Sequence, residues 1–152
     1  MYAIKLEDRY LVEVNYGSIK TSSTAKTYKD IRSAKLALDK MLETAEQYEQ
    51  AWTRYAQESE KKVADLTKRL IKIDETRSEL YKRPYGEVFT RIQKLEKERA
   101  QKLNEAGACQ RSIAPWRRDA TRMRNFVAKK PQIVVLGDRP LSSVDILDIL
   151  KV

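Results

Sequence analysis

The chain has 152 residues, 31 Lys and Arg against 22 Asp and Glu, no histidine, and a formal net charge of +9. Charged residues at 35%, with only four Gly and four Pro, suit long amphipathic helices better than a sandwich, a barrel or a disordered tail. A mean hydropathy of -0.66 without a long apolar run excludes a helical membrane span, and one cysteine excludes an intrachain disulfide or a cysteine-rich metal site.

The opening segment carries no signal-peptide pattern, so the expected setting is a cytoplasmic protein built as one unit with an appendage. Tyr2-Ala-Ile-Lys-Leu6 and Tyr10-Leu-Val-Glu-Val14 are short runs rich in aromatic and β-branched residues, and the Glu7-Asp8-Arg9 break between them predicts a hairpin. A turn at Asn15-Tyr16-Gly17-Ser18 leads to a third expected strand over Ile19 to Tyr28. Such a meander needs a helix or another strand over its apolar face.

Asp30 is the expected N-cap of a helix beginning at Ile31, and neither Gly nor Pro occurs from there to Arg83. The apolar seam reads Ile31, Ala34, Leu38, Met41, Ala45, Tyr48, Trp52, Tyr55, Ser59, Val63, Leu66, Leu70, Ile73, Arg77, Leu80. Its consecutive four-residue steps at Tyr55-Ser59-Val63 are a stutter, which locally unwinds a supercoil. Beyond Tyr81-Lys82-Arg83-Pro84-Tyr85-Gly86 a second seam runs through Val88, Ile92, Leu95, Arg99, Lys102, Ala106, Cys109, Ile113, Trp116, Ala120, Met123 and Val127. The two seams mirror each other about Pro84, so that Leu80 faces Val88, Tyr55 faces Ile113, and Trp52 faces Trp116 as an anchor layer.

The reading is therefore an antiparallel helical hairpin over residues 31–130, with its tip at 81–87. An arm of about 43 residues at about 1.5 Å each extends about 65 Å. Small residues at Ser59, Ala106 and Cys109 imply close helix approach, and Arg77, Arg99 and Lys102 are polar entries that loosen the seam. Pro115 inside the return helix predicts a kink or short break near Ser112-Ala114.

After Lys129-Lys130-Pro131, the run Gln132-Ile-Val-Val-Leu136 is the best strand signal, and its continuous apolar character suggests a central position in the sheet. A turn at Gly137-Asp138-Arg139-Pro140 and a short helix over residues 144–150 are expected to follow. The fold class is thus α+β: a long coiled-coil hairpin projecting from a small antiparallel sheet made by the N-terminal strands and a C-terminal strand, with residues 1–30 and 131–152 as its base.

Catalysis finds little support. No histidine is present to serve as base or metal ligand, no phosphate-binding glycine motif appears, and Cys109 falls on the seam as a small hydrophobe. No catalytic, metal or cofactor residues are expected.

Charge is unevenly spread. Residues 1–60 carry 9 Lys and Arg against 10 Asp and Glu, residues 61–102 carry 13 against 7, and residues 103–152 carry 9 against 5. Arg111, Arg117, Arg118, Arg122, Arg124, Lys129 and Lys130 stand against the single acid Asp119. Arg111, Arg118, Arg122 and Lys129 fall on one helical face, which would track phosphates of a nucleic acid or an acidic partner. The competing reading pairs these cations with Glu43, Glu46, Glu49 and Glu58 of the first helix. At the tip, Tyr81, Lys82, Arg83 and Tyr85 combine aromatics with cations, the residue types enriched at binding hot spots. There too a plainer reading has Tyr81 and Phe89 merely closing the seam.

The opening Tyr2-Ala-Ile-Lys-Leu6, Tyr10-Leu-Val12 and Ala25-Lys-Thr-Tyr28 running into a helix resembles the start of many short bacteriophage proteins, over about 40 residues. That resemblance implies a small host-directed or accessory factor. Three functions remain open from sequence: a protein-partner binder using arm and tip, a nonspecific DNA- or RNA-binding protein using Arg111 to Lys130, and a homo-oligomer paired through outer helix faces, where apolar positions such as Leu36, Leu42, Leu103 and Phe126 would serve either a dimer or the packing of the base.

Overall fold

The computed structural model describes residues 1–15 and 18–136. The centre of the expected turn at Tyr16-Gly17, the turn at Gly137-Pro140 and the helix over residues 144–150 lie outside the described residues. The architecture is α+β, in the order β1 (Tyr2–Leu6), β2 (Arg9–Asn15), β3 (Ser18–Ser22), α1 (Ile31–Tyr81), α2 (Tyr85–Ala128) and β4 (Gln132–Val135). Two compact units divide it: a sheet unit of Met1–Trp52 with the chain from Asp119 onward, and a turn unit of Thr53–Arg118.

In the sheet unit the strands form one antiparallel sheet in the order β3-β2-β1-β4. β1 and β2 close through Glu7-Asp8, with Leu6 opposite Arg9 and Glu7 in the left-handed region at φ 57. The third strand is shorter than expected, ending at Ser22. A bulge between Leu11 and Glu13 of β2 explains what happens next, because bulges bend a strand out of its ladder. Tyr2 then exchanges both backbone hydrogen bonds with Tyr28, at 2.9 and 2.7 Å. Met1 offers its carbonyl to Leu136 at 3.1 Å on the β4 side. Alternation along the strand therefore places Tyr28 on the side of β1 that β2 leaves open.

The continuous apolar run of β4 does not make it central, because it ends the strand order. That position belongs to β1, whose neighbouring residues Ala3 and Ile4 point to opposite faces and are both fully buried. In β4 only Ile133 is buried. Apolar continuity reports covered faces, and β4 lies at an edge of the sheet with one face less covered.

Asp30 caps α1 as expected: the Ser33 amide donates to Asp30 Oδ1 at 2.8 Å, and that bond holds the Asp30 carboxyl below its ordinary pKa. Ile31, Ala34, Leu38, Met41 and Ala45 of α1 and Ala120, Met123 and Phe126 of α2 form the helical part of this unit's core. Phe126, which the seam left outside, is thus a core residue, whereas Leu36 stays 58% exposed.

In the turn unit α1 and α2 pack antiparallel. Two seam expectations fail here. The buried residue is Ala56, fully enclosed, and not Tyr55, which is 40% exposed. The consecutive four-residue steps therefore fall at Tyr48-Trp52-Ala56, one turn earlier, and they carry the smaller side chain inward. In the sheet unit Trp52 stacks on Tyr48 at 5.2 Å, and in the turn unit Trp116 packs tilted against Tyr55 at 5.5 Å.

Of the kink or short break expected near Ser112-Ala114, the break is absent: α2 runs unbroken through Pro115. Pro115 lies on the exposed face, where its ring meets no partner helix. Its lost hydrogen bond, worth about 3 kcal/mol with the associated clash, is a local cost. Around it, Trp116 packs on Tyr55 and Arg117 is tied to Glu60.

Candidate functional site

The turn that closes the hairpin is tighter than its sequence suggested. Lys82 and Arg83 donate backbone bonds to Glu79 and Leu80, at 3.3 and 3.1 Å, and the Pro84 carbonyl accepts from Glu87 at 3.1 Å to start α2. Pro84 cannot extend α1, and its carbonyl is free to cap the next helix. Gly86 is then already helical, with nothing within 4 Å of where a Cβ would be.

Beneath this turn Leu80, Val88 and Ile92 form a small buried cluster with Leu95 packed against it. The aromatics do not join that cluster. Tyr81, Tyr85 and Phe89 are 54%, 59% and 40% exposed, so the reading in which they close the seam fails. Tyr85 and Phe89, one helical turn apart, meet edge to face at 5.2 Å. Tyr81 donates its hydroxyl to Glu96 Oε1 at 2.9 Å, which fixes its ring. Because that bond needs the phenolic proton, it raises the Tyr81 pKa above the ordinary value. Lys82 pairs with Glu79 at 3.1 Å, and Arg83 has no ion pair among the described residues. The result is a rigid apolar patch beside an uncompensated guanidinium, carried on a packed support.

The seven basic residues from Arg111 to Lys130, five in α2 and two just after it, do not form one free face. In the turn unit Arg117 is clamped on Glu60, with Nε at 2.9 Å and Nη2 at 2.5 Å, while Arg111 and Arg118 are exposed and without ion pairs among the described residues. The Arg111 guanidinium folds back towards Gly107, where an added Cβ would lie 3.3 Å from Nη1. In the sheet unit Arg124 pairs with Glu49 at 2.8 Å, Arg122 with Asp119 at 3.3 Å, and Lys129 with Glu7 at 3.3 Å. Lys130, at φ 50, ends the helix. The pairing reading is realised for Arg117 and Arg124, though Glu60 replaces the expected partners for Arg117. These pairs are exposed, so each contributes at most about 1 kcal/mol; what they remove is free charge.

Two of the three polar seam residues, Arg77 and Arg99, are compensated, and so is Lys62 beside the seam. Asp74 receives Arg99 at 2.9 Å and Arg77 at 3.3 Å, and Lys62 reaches Glu105 at 3.1 Å. The Glu105 bond raises the Lys62 pKa. Small side chains at Ser59, Ala108, Cys109 and Ser112 leave a cleft of about 330 Å³, open to solvent and bordered by Tyr55 and Trp116. Among the described residues no group of His, Cys, Asp and Glu side chains is placed to hold a metal ion, and no helix is long and apolar enough to cross a membrane.

A scan against protein-family models finds no match, and neither the curated proteins nor the solved structures contain a chain that matches this one.

Proposed function

We propose that the protein is a non-catalytic interaction protein that engages a protein partner through its hairpin turn. The observation that carries this reading is the exposure of Tyr81, Tyr85 and Phe89 together on a turn whose interior is already filled by Leu80, Val88 and Ile92. Exposing three aromatics side by side is costly in water, and rigid Tyr and Arg side chains lose little entropy on binding. The partner surface that fits is an apolar pocket edged by carboxylates, which would take Tyr85 and Phe89 while Arg83 finds a counter-charge. A host protein that handles nucleic acid is the partner class in keeping with the net charge of +9 and with a phage-type accessory factor.

The test is affinity capture from a bacterial lysate, quantified for wild type against Tyr81→Ala/Tyr85→Ala. Circular dichroism serves to show that the variant keeps its helix content. A discrete partner lost by the double variant supports the reading. Equal recovery by both proteins rejects the turn as the contact.

A further inference from the structure

The cross-helix bonds of the turn unit fix which flank of α1 lies beside which flank of α2. On one side Tyr81 meets Glu96, and Asp74 meets Arg99. On the other Arg69 meets Glu98 at 2.6 Å, and Lys62 meets Glu105. At about 100° per residue, Tyr85, Phe89 and Leu103 fall on the flank of Tyr81. Lys61, Lys68 and Lys72 of α1, with Arg91, Lys94 and Lys102 of α2, fall on the flank of Arg69 and Lys62.

Among the described residues none of those six cations has an ion pair, and the uncompensated acids on that flank are Asp65, Glu75 and Glu87. One flank of the unit is thus aromatic and the other basic, an asymmetry that no charge run in the sequence displays. From Lys61 to the height of Arg91 the basic row extends about 24 Å at about 1.5 Å per residue, roughly the length of seven base pairs at about 3.4 Å each.

We infer that this flank is a phosphate-backbone contact surface for duplex DNA. Each partner chemistry leaves a mark the flank can be checked for. A single strand is held by aromatic side chains on which bases stack, and the aromatics of this unit lie on the other flank. Sequence readout needs Arg, Asn or Gln reaching base edges from an element inserted in a groove, whereas lysines on a straight two-helix face are point charges suited to phosphates. Duplex RNA is recognised through its A-form shape together with 2′-hydroxyl contacts, and ammonium groups, which donate to phosphate and hydroxyl oxygens alike, supply nothing that singles out the 2′-hydroxyl. Contacts of this kind give affinity without sequence preference and a strong dependence on salt. The inference is independent of the partner proposed for the turn, since it uses the opposite flank.

The experiment is fluorescence anisotropy of a short labelled DNA duplex between about 50 and 200 mM salt. It compares the full chain, Lys68→Glu/Lys72→Glu/Lys94→Glu, the milder Lys68→Gln/Lys72→Gln/Lys94→Gln, and Arg111→Glu/Arg118→Glu as a control elsewhere on α2. Duplex binding that weakens with salt is expected, with the log-log slope shallower by about 2–3 in the glutamine variant, one contact contributing about 0.9. The control is expected to keep most of the affinity. Absence of duplex binding at the lowest salt overturns the inference. So does an unchanged slope in the glutamine variant, or an equal loss in the control. Tighter binding to a single strand, to an RNA duplex of the same sequence or to phosphatidylserine vesicles overturns the assignment to duplex DNA.

Discussion

Tyr28 closes the gap that the β2 bulge opens, and its side chain carries an unmet obligation. Its hydroxyl is buried and has no hydrogen-bond partner among the described residues, while Lys26 Nζ lies 6.0 Å over the ring. The backbone of Tyr28 is bonded twice to Tyr2, so Tyr28→Phe leaves the strand geometry untouched and removes only the hydroxyl. A buried polar group without a partner costs about 1–3 kcal/mol. The ring as a whole is only partly buried, so the lower end of that range applies. The expected gain is about 1 kcal/mol, or an increase in Tm of about 2–4 °C for a chain of this length.

The pH dependence gives the same argument an independent sign. Burial raises the Tyr28 pKa above its ordinary value near 10. The folded chain therefore holds that proton more tightly than the unfolded chain. Its contribution is intact below pH 10 and is lost as pH rises through the higher folded value. Tyr28→Phe escapes that loss, so its advantage in Tm is expected to widen between pH 9 and pH 11, other alkaline titrations being common to both proteins. Calorimetry of the two proteins across that range is the assay. A lower Tm for Tyr28→Phe at neutral pH would refute the reasoning, since it would mean that the hydroxyl makes a favourable bond.

The fully buried Ala56 leaves no room for added volume, so Ala56→Leu is expected to lose about 1–3 kcal/mol in denaturant unfolding. Tyr55→Leu, at the exposed neighbouring position, is expected to change stability by less than that; the reverse ranking would restore the original seam. Asp30→Ala is expected to lower Tm and Asp30→Asn to restore most of the loss, because the bond from Ser33 needs an acceptor oxygen and tolerates loss of charge. Since that bond depresses the Asp30 pKa, its contribution is present above the ordinary carboxylate value and fades as pH falls through the folded one, which an acid titration of wild type against Asp30→Asn measures. Gly86→Ala is expected to stabilise by about 0.5–1 kcal/mol, as Gly86 is helical with open space at its Cβ position. A loss instead would place Gly86 in a conformation that needs glycine.

What the sequence displayed well was set by local chemistry or by repetition. Asp30 before Ile31 is a short-range capping signal. Two seams mirrored about Pro84 need many coincidences to mislead, and Val88, Ile92, Ala120 and Met123 are all buried where the pattern put them. Failures came where one residue decided between alternatives. Tyr55 and Ala56 both continue the seam, and hydrophobicity favours the tyrosine while packing between helices favours the alanine. Pro115 looked like a break because its intrinsic cost was weighed without the neighbours that hold the helix. Gln132-Ile-Val-Val could not reveal a strand order that depends on pairing far away in the chain.

The candidate residues divide the same way. Tyr81, Lys82, Arg83 and Tyr85 were legible as types beside a turn, and the structure adds that the aromatics are exposed. The run from Arg111 to Lys130 drew attention through density alone, yet Arg117, Arg124 and Lys129 are tied to acids. The excess of cations over residues 61–102 includes Lys68, Lys72, Arg91 and Lys94, but these are scattered over two helices and form no visible face in the sequence. Helical phase at each seam position was the signal that would have found them, once the facing flanks were known.

The proposed function places the contact with a protein partner at the hairpin turn. Site-specific photo-crosslinking tests it most directly, with a photoreactive side chain replacing Tyr85 in one protein and the exposed Asn104 of the same helix in another. The expected result is one discrete adduct from position 85 that is absent from position 104. Excess unlabelled wild type is expected to compete it away, and Tyr81→Ala/Arg83→Glu is not. Equal adducts from the two positions, or equal competition by the variant, would contradict the claim.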